Sequence, residues 1–364
     1  MTKKHEKHTK LKKPAIGFYG RNELAFVGAP CGLIQKYVER LILSFGDTKN
    51  VVYVDADHGA KEGGIAFATF QDKISHKRFE KKDVNDFDLK FLLNDQDFIF
   101  VNGNHFQANK QVVFIHPEKE ASLKKRIGQL TEVIAVVLAE GMDKPFDWLE
   151  DTIGTEVKIL KIEDVAYMHT LVLEKMTQVP LKALILSGGK STRMGFDKTT
   201  INYHGKPQRE YLADIFDKLG VETFFSCRAD QVSEFGENTI TDKFLNLGPY
   251  GAILSAFQTD PDAAWLVLAS DMPLIQMQEI EFLIQKRNSF KTATACFNPE
   301  TNFPDPLFTI WEPKAYLSLL SYLTLGYSCP RKVLINSEIE LVQLPDPKVL
   351  ANVNSQEDKA ALGL

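Results

Sequence analysis

The stretch LILSGGKSTRMGFDK, from Leu184 to Lys198, joins an apolar run to two glycines and several positive charges. Gly188 and Gly189 follow the apolar run directly, and glycine lets a backbone turn sharply and approach a ligand closely. Free N–H groups in such a turn form a concave site for anions. Arg193 can place a planar guanidinium on phosphate oxygens, and Lys198 adds a second positive charge. The stretch therefore predicts a loop that holds an NTP by its phosphates.

The spacing of this loop differs from that of two common nucleotide-binding motifs. It has neither the GxxxxGK[ST] pattern of a Walker loop nor the GxGxxG pattern of a dinucleotide fold. On both sides of it, apolar runs of strand length alternate with helical patterns. This alternation predicts an α/β protein with mostly parallel, doubly wound sheets, in which ligands bind at the carboxyl ends of the strands.

The 364 residues are enough for two such domains. We place a disordered basic tail at residues 1–13, a first domain at 14–176, a linker at 177–180 and a second domain at 181–364. In the first domain we predict strands at 24–27, 51–54, 97–101, 112–115, 133–138 and 157–159, with a helix at 33–43. In the second we predict strands at 181–186, 222–226, 265–268 and 292–297, with helices at 208–219, 250–257 and 277–287.

Composition limits the classes of function. Hydrophobic residues make up 44% and charged residues 25%, as in soluble globular proteins. A formal net charge of -5 argues against a nucleic-acid partner held by phosphate attraction. No apolar run approaches the ~18 residues needed to span a membrane, and the polar N-terminus lacks the apolar core of a secretory signal. Four scattered cysteines without a CxxC pair favour the reducing cytoplasm over a disulfide framework or zinc site.

The phosphate loop resembles the signature GGxSxRMGxDK of the molybdenum cofactor guanylyltransferases, the MobA-like branch of the nucleoside-diphospho-sugar transferase superfamily. Eight positions match without a gap: Gly188, Gly189, Ser191, Arg193, Met194, Gly195, Asp197 and Lys198. The Asp197-Lys198 pair favours this branch over the related cytidylyltransferases, which more often place Asn before the Lys. The resemblance implies a Rossmann-like nucleotidyltransferase fold for the second domain.

Further landmarks follow in the order of that family and extend the resemblance from Leu181 to the C-terminus. They are HGKP at 204–207, LGPYGAILSA at 247–256, SDMP at 270–273, FPDPLFTIW from Phe303 and NVNSQED at 352–358. Two segments depart from the family. Phe303-Pro304-Asp305 replaces an HPT-type segment, and Ser226-Cys227-Arg228 replaces an Asn-rich one. These departures put the contacts to the pterin and to the base in doubt.

The resemblance implies a set of site residues. The residues implied to bind the nucleotide are Leu186, Ser187, Gly188, Gly189, Lys198, Asp242, Gly248 and Asp271, and those implied to be catalytic are Arg193, Lys198 and Asp271. Asp271 follows a strongly apolar strand, and a carboxylate at a strand's carboxyl end facing a phosphate loop suits Mg²⁺. We expect Asp271 to be the ligand of Mg²⁺. Asn352 or Asn354 is a candidate second ligand.

The implied reaction is nucleotidyl transfer, in which an acceptor phosphate attacks the α-phosphorus of the NTP and pyrophosphate leaves. Such chemistry depends on positioning and charge neutralisation more than on a protein nucleophile. By resemblance the NTP is GTP, the acceptor is Mo-molybdopterin, and molybdoenzyme apoproteins or other cofactor-biosynthesis proteins are candidate partners. Three alternatives stay open: a cytidylyltransferase, a sugar-phosphate nucleotidyltransferase, and a scaffold that binds nucleotide without turnover.

The first domain resembles a degenerate MobB-like P-loop GTPase, the adaptor that accompanies this transferase. In GAPCGLIQKYVERL, from Gly28, Cys31 stands at the Walker Lys position and Gly32 at that of the following hydroxyl. Asn102 stands where the adaptor has Glu. Without that Lys and hydroxyl, the γ-phosphate and its Mg²⁺ lack their usual partners. We therefore expect a domain that has lost NTP hydrolysis and acts in docking or substrate presentation.

Three titratable residues of the first domain, Asp55, Asp57 and His58, lie together after a predicted strand. Their types suit a metal, but a solvated turn explains them as well, so both interpretations stay open. His105 and His116 stand near the ends of other predicted strands. We expect both histidines to be structural rather than catalytic.

Overall fold

The computed structural model describes residues 11–56, 68–72, 75–81, 83–154, 156–176, 179–188, 202–353 and 358. The chain divides into two compact units, Ile16–Gln178 and Val179–Leu364, the second of which includes the residues up to Ala15. Within the described ranges, no helix is both long and apolar enough to cross a membrane. Several sequence-based expectations lie outside the described residues, namely those for Asp57, His58, Gly189, Arg193, Lys198 and Asn354.

The N-terminal unit is built on a six-stranded sheet in the order β2-β5-β1-β6-β7-β8, and all of its paired strands are parallel. Its strands are β1 Glu23–Val27, β2 Val51–Val54, β5 Phe98–Asn102, β6 Lys110–Ile115, β7 Glu132–Leu138 and β8 Lys158–Lys161. A separate antiparallel pair consists of β3 Ala68–Asp72 and β4 Lys77–Lys81. The helices are α1 Cys31–Phe45, α2 Asp86–Leu92, α3 Glu120–Lys124, α4 Asp147–Ile153 and α5 Val165–Met176.

The parallel sheet explains the unbroken apolar runs of this unit. Every residue of β1 and β5 is buried, as expected for strands that are covered on both faces. Helix α1 buries Ile34, Tyr37, Val38, Leu41 and Phe45, which recur every three or four residues and so form one face. The expected doubly wound α/β fold of this half is confirmed.

The C-terminal unit contains a seven-stranded sheet in the order β11-β10-β9-β12-β14-β13-β15. Its strands are β9 Leu181–Leu186, β10 Glu222–Cys227, β11 Thr239–Thr241, β12 Ala264–Ala269, β13 Ala293–Asn298, β14 Phe303–Trp311 and β15 Ile339–Val342. Its helices are α6 Gln208–Lys218, α7 Pro249–Thr259, α8 Met277–Gln285, α9 Ala315–Thr324 and α10 Pro330–Ile335. The expectation of a mostly parallel sheet is confirmed, since only β14 runs against its neighbours among these strands.

Strand β14 was not predicted from the sequence, because Pro304 and Pro306 interrupt the pattern of an internal strand. The structure resolves this conflict by register. β14 pairs with β12 only through residues 308–311, beyond both prolines. Pro304 faces β13 alone, next to an irregularity between Ala295 and Phe297. Neither proline therefore lies in the part of β14 that pairs with a strand on each side.

The segment of residues 11–15 contacts the C-terminal unit through two aspartates. Lys12 Nζ lies 2.5 Å from Asp260 Oδ1, and the N–H of Ala15 donates to Asp262 Oδ1 at 2.8 Å. Lys182 Nζ lies 3.0 Å from the other oxygen of Asp260. Asp260 is therefore shared between two lysines, one of which precedes the N-terminal unit in the chain.

We expect Asp260→Asn to lower the stability of the protein at pH 7 by about 1–3 kcal/mol. Burial raises the pKa of Asp260, but the hydrogen bonds from Lys12 and Lys182 hold that pKa below its ordinary value. A carboxyl whose pKa is lowered by folding stabilises the fold above its unfolded pKa, and this contribution is lost as the pH falls through the folded pKa. The loss caused by Asp260→Asn should therefore shrink at low pH.

Thermal unfolding measured from pH 7 down to pH 3 tests this expectation. Asp217→Asn, at an exposed position of α6, is the matched control and should change little at any pH. A loss of stability for Asp260→Asn that is as large at pH 3 as at pH 7 would show that the charge of Asp260 is not what stabilises the fold.

Candidate functional site

Three neighbouring strands of the C-terminal unit end at one edge of the sheet. β9 lies between β10 and β12 and is parallel to both. The N–H of Ser187 donates to the carbonyl of Ser226 at 3.0 Å, and Ser270 Oγ donates to the carbonyl of Leu186 at 2.8 Å. The structure thus places Leu186 and Ser187 between the ends of the two flanking strands, where α/β sheets bind ligands.

The first glycine of the predicted phosphate loop lies close to the end of β10. A Cβ on Gly188 would lie 3.1 Å from Cys227 Cα and 3.4 Å from the nitrogen of Arg228. Ser187, just before it, is 1% exposed, and its Oγ has no hydrogen-bond partner in the described part of the chain. A side chain at position 188 would therefore be in tight contact with the backbone at the end of β10, and one of the two would have to shift.

Asp242 joins the same edge beside β10. Its N–H donates to the carbonyl of Cys227 at 3.2 Å, and Ser226 Oγ donates to Asp242 Oδ1 at 3.0 Å. Burial raises the pKa of Asp242, and the hydrogen bond from Ser226 opposes that rise. The sequence indicated Asp242 as a site residue and Ser226 only as a departure from the family. The structure shows that the two side chains form a pair.

The loop that follows Asp242 packs against the start of α7. The N–H of Lys243 donates to Ser255 Oγ at 2.9 Å. A Cβ on Gly251 would lie 2.3 Å from the carbonyl oxygen of Phe244, so only glycine allows this approach. Gly248, which caps α7, has a φ of 55°, in the left-handed region that favours glycine. The predicted nucleotide-binding residue Gly248 thus begins α7 in a backbone conformation that other residues rarely adopt.

The turn that carries Asp271 is held by hydrogen bonds from three other parts of the chain. Asp271 lies two residues beyond β12 and is partly exposed. Three successive carbonyls accept a hydrogen bond from another segment: that of Asp271 from Val353 N–H at 2.9 Å, that of Met272 from Gln208 Nε2 at 3.3 Å, and that of Pro273 from His204 Nε2 at 2.9 Å. The backbone under the carboxylate is therefore fixed independently of the carboxylate itself.

Two of these three hydrogen bonds, those from Gln208 and His204, were not predicted from the sequence. Gln208 was expected only to begin a helix, and His204 only to belong to the HGKP turn. The ring of His204 also stacks on Tyr211, with 4.0 Å between the ring centroids. The third hydrogen bond, from Val353, brings the start of the NVNSQED element to the predicted metal residue. The structure shows that Gln208 is fully buried. In the sequence, the only sign of its role was a polar residue at the first position of an amphipathic helix.

Tyr203 lies beside the same carboxylate. Burial raises the pKa of Tyr203, and the negative charge of Asp271 raises it further. The phenol is therefore neutral at physiological pH and can donate a hydrogen bond on this side of the site.

The donors present suit a cation that is bound together with a nucleotide. In the described part of the chain, no group of three or more His, Cys, Asp or Glu side chains could hold a metal ion by itself. Mg²⁺ at nucleotide sites typically takes one or two carboxylates and completes its shell with water and phosphate oxygens. Asp271, partly exposed and on a rigid turn, fits that role.

Asp305, in the segment that replaces the HPT-type motif, has a structural role. It is 5% exposed, and its Oδ1 accepts the N–H groups of Leu307 at 2.8 Å and Phe308 at 3.2 Å. Its Oδ2 accepts a hydrogen bond from Asn298 Nδ2 of β13 at 3.5 Å, so both carboxylate oxygens are engaged by the protein itself.

The C-terminal unit is similar to known proteins. Residues 183–340 match the family model of the MobA-like NTP transferase domain. A "Molybdenum cofactor biosynthesis bifunctional protein" from Synechocystis is 33% identical over 227 residues, which cover 58% of this chain and 65% of that protein. The chain therefore matches slightly less than two thirds of this relative's length.

Shorter relatives match about half of the chain. The "Molybdenum cofactor guanylyltransferase" of Syntrophotalea carbinolica is 28% identical over 191 residues, which cover 48% of this chain and 87% of that protein. The crystal structure of "Molybdopterin-guanine dinucleotide biosynthesis protein A" from Archaeoglobus fulgidus covers 50% of this chain and all of its own, with 20% identity and a TM-score of 0.42. Over residues 183–340 this chain is thus similar to MobA-like NTP transferase domains, and over about half of its length it is similar to molybdenum cofactor guanylyltransferases.

Proposed function

We propose that this protein transfers GMP from GTP to the terminal phosphate of Mo-molybdopterin and releases pyrophosphate. The names of its relatives support the choice of substrates. The observation that carries the proposal is the shared sheet edge, where Ser187 and Gly188 begin the phosphate loop and the Asp271 turn is fixed on three sides. A phosphate loop and an oriented carboxylate at one edge are what nucleotidyl transfer requires.

In this proposal each part of the chain has a separate task. The loop after Gly188 presents backbone N–H groups to the phosphates, and Arg193 and Lys198 hold the two phosphates that leave as pyrophosphate. The Asp242 carboxylate, paired with Ser226, contacts the ribose or base. Asp271 holds Mg²⁺, which when bound neutralises negative charge on the α-phosphate. We also propose that the protein works in the cytoplasm.

A pyrophosphate-release assay across four NTPs, each with Mo-molybdopterin and with sugar phosphates, tests the substrates. We expect turnover only with GTP and Mo-molybdopterin. Turnover with CTP and molybdopterin, or only with a sugar phosphate, would replace this proposal with one of the two enzyme alternatives. Binding of GTP that raises the unfolding temperature, without any pyrophosphate release, would identify a scaffold.

We expect His204→Ala to raise the Mg²⁺ concentration needed for half-maximal activity by about 10-fold or more, while the protein stays folded. Side chains that orient a metal ligand without touching the metal typically change affinity by about 10–100-fold. His204 acts here through the carbonyl of Pro273, two residues after Asp271. The measurement is initial rate against Mg²⁺ concentration at saturating GTP.

Tyr211→Leu is the matched variant for this experiment. It removes the ring that stacks on His204 but keeps the hydrogen bond from His204 to Pro273. Its Mg²⁺ dependence should stay near that of the unmodified protein. If His204→Ala and Tyr211→Leu behave alike, packing rather than the hydrogen bond determines the result, and the positioning role of His204 is wrong.

A further inference from the structure

The N-terminal unit brings a thiol, an imidazole and a carboxylate together at the carboxyl edge of its sheet. The loops after β1, β5 and β2, which are adjacent strands, supply Cys31, His105 and Asp55. Cys31 Sγ lies 3.3 Å from His105 Nε2, and the same nitrogen lies 4.0 Å from Asp55 Oδ1. The Nε2 atom of His105 therefore lies near both a proton donor and a negative charge.

The carboxylate of this group is held in place and kept ionised. Asp55 Oδ2 accepts hydrogen bonds from Asn102 Nδ2 at 3.1 Å and from the hydroxyl of Tyr53 at 3.0 Å, while Oδ1 accepts the N–H of Ala56 at 2.7 Å. Burial raises the pKa of Asp55, but these three hydrogen bonds hold that pKa below its ordinary value. A fixed negative charge therefore faces His105 at neutral pH.

The two loops that carry the thiol and the imidazole are fastened to each other. Asn104 Nδ2 donates to the carbonyl of Ala29 at 2.8 Å and lies 3.5 Å from Cys31 Sγ. Its Oδ1 accepts the N–H of Gly28 at 3.4 Å. Because Asn104 precedes His105 directly, these contacts fix the separation between Sγ and the imidazole. The thiol remains partly exposed, so a small reagent can reach it.

We propose that Cys31 is a nucleophilic thiol whose proton is accepted by His105, that Asp55 stabilises the imidazolium so formed, and that the site takes small disulfides. In the exchange, the proton of Sγ moves to Nε2 and the thiolate attacks one sulfur of the disulfide. A bond forms between Cys31 Sγ and that sulfur, and the S–S bond of the reagent breaks. The departing thiolate takes the proton from His105, so no further oxidant is consumed.

The chemistry of the group favours a sulfur electrophile over an acyl group. Acyl transfer needs donors aimed at a new oxyanion, whereas exchange at sulfur needs only a thiolate, a proton acceptor and an open approach. Cys31 occupies the position at which a Walker loop carries its Lys. A thiol therefore stands in this chain where a Walker loop has the Lys that contacts the γ-phosphate.

The other three cysteines provide internal comparisons. Cys227 and Cys296 are fully buried, and burial raises the pKa of the Cys296 thiol. Cys329 is exposed and caps the start of α10, whereas Cys31 is less exposed and is the first residue of α1. Both residues thus stand at a helix start. Exposure and helix position alone would make Cys329 the faster thiol.

The test is the rate at which each cysteine of the full-length protein reacts with a limiting aromatic disulfide at pH 7, measured by peptide mass spectrometry after acid quenching. We expect Cys31 to react at least about 10-fold faster than Cys329, because a positioned proton acceptor contributes a factor of this order or more. His105→Asn should bring Cys31 down to about the rate of Cys329 without changing Cys329. A Cys31 rate no higher than that of Cys329 would overturn the proposal.

Two further variants keep this result interpretable. In Cys31→Ser no cysteine should react at the fast rate. If a fast-reacting cysteine persists in this variant, the assignment to Cys31 is wrong. Asp55→Asn should slow Cys31 less than His105→Asn does, because the proton acceptor is retained. Thermal unfolding of each variant checks that the fold persists. An unchanged Cys31 rate in a folded His105→Asn protein would show that the imidazole plays no part. None of these outcomes depends on GTP turnover, so they stand apart from the proposed transfer reaction.

Discussion

Replacing Asp271 by Asn is expected to reduce pyrophosphate release by about 1,000-fold or more while the fold persists. The amide keeps the size of the side chain but removes the negative charge that would hold the cation, and a bound metal contributes several kcal/mol of charge stabilisation. The turn should survive, because it is held through the carbonyls of residues 271–273 rather than through the carboxylate.

The measurement is GTP-dependent pyrophosphate release over a range of Mg²⁺ concentrations, together with thermal unfolding. Asp217→Asn, which removes an exposed carboxylate from α6 in the same unit, serves as the control and should retain full activity. Activity of Asp271→Asn within about 10-fold of the unmodified protein would remove Asp271 from the proposed metal site, since loss of a ligand charge should cost far more.

Glu312→Gln is expected to destabilise the C-terminal unit by about 3–5 kcal/mol. The Glu312 side chain is fully buried and receives two hydrogen bonds from Arg287, from Nε at 2.7 Å and from Nη2 at 2.9 Å. Burial raises the pKa of Glu312, and the charge of Arg287 opposes that rise. Removing the carboxylate leaves the guanidinium, only 17% exposed, without its negative partner.

Urea unfolding followed by tryptophan fluorescence measures this effect. Trp265 and Trp311 are buried in the C-terminal unit, so a Trp148→Phe background restricts the signal to that unit. Glu338→Gln, which breaks the more exposed ion pair with Lys291, is the matched control and should cost less than about 1 kcal/mol. Equal losses for the two variants would show that burial of the pair does not determine its contribution.

Much of the C-terminal fold was predictable because its signals are local. The predicted strands and helices at 181–186, 222–226, 265–268, 208–219 and 250–257 all appear, with ends that differ by no more than two residues. Apolar runs and helical periodicity depend on neighbouring residues only. β14 was missed because its two prolines are tolerated only through its register with β12 and β13, which is a property of three distant segments.

The candidate site also contains some features that the sequence predicted and others that it did not. Asp271, Asp242 and Gly188 were indicated by motif and position, and the structure brings them to one sheet edge. The pairing of Ser226 with Asp242 and the ties from Gln208 and His204 were not predicted. These contacts join segments that are 16 to 69 residues apart. No local pattern specifies which strand ends become neighbours.

By itself, the sequence predicted a loop that binds an NTP by its phosphates in one half of the chain, and a phosphate-loop position without its charges in the other. Both conclusions rest on the type and spacing of adjacent residues, which decide what a short loop can bind. Only the tertiary structure decided that Cys31 meets His105, 74 residues away. The order β2-β5-β1 places their loops side by side, and strand order is set by long-range packing rather than by local sequence.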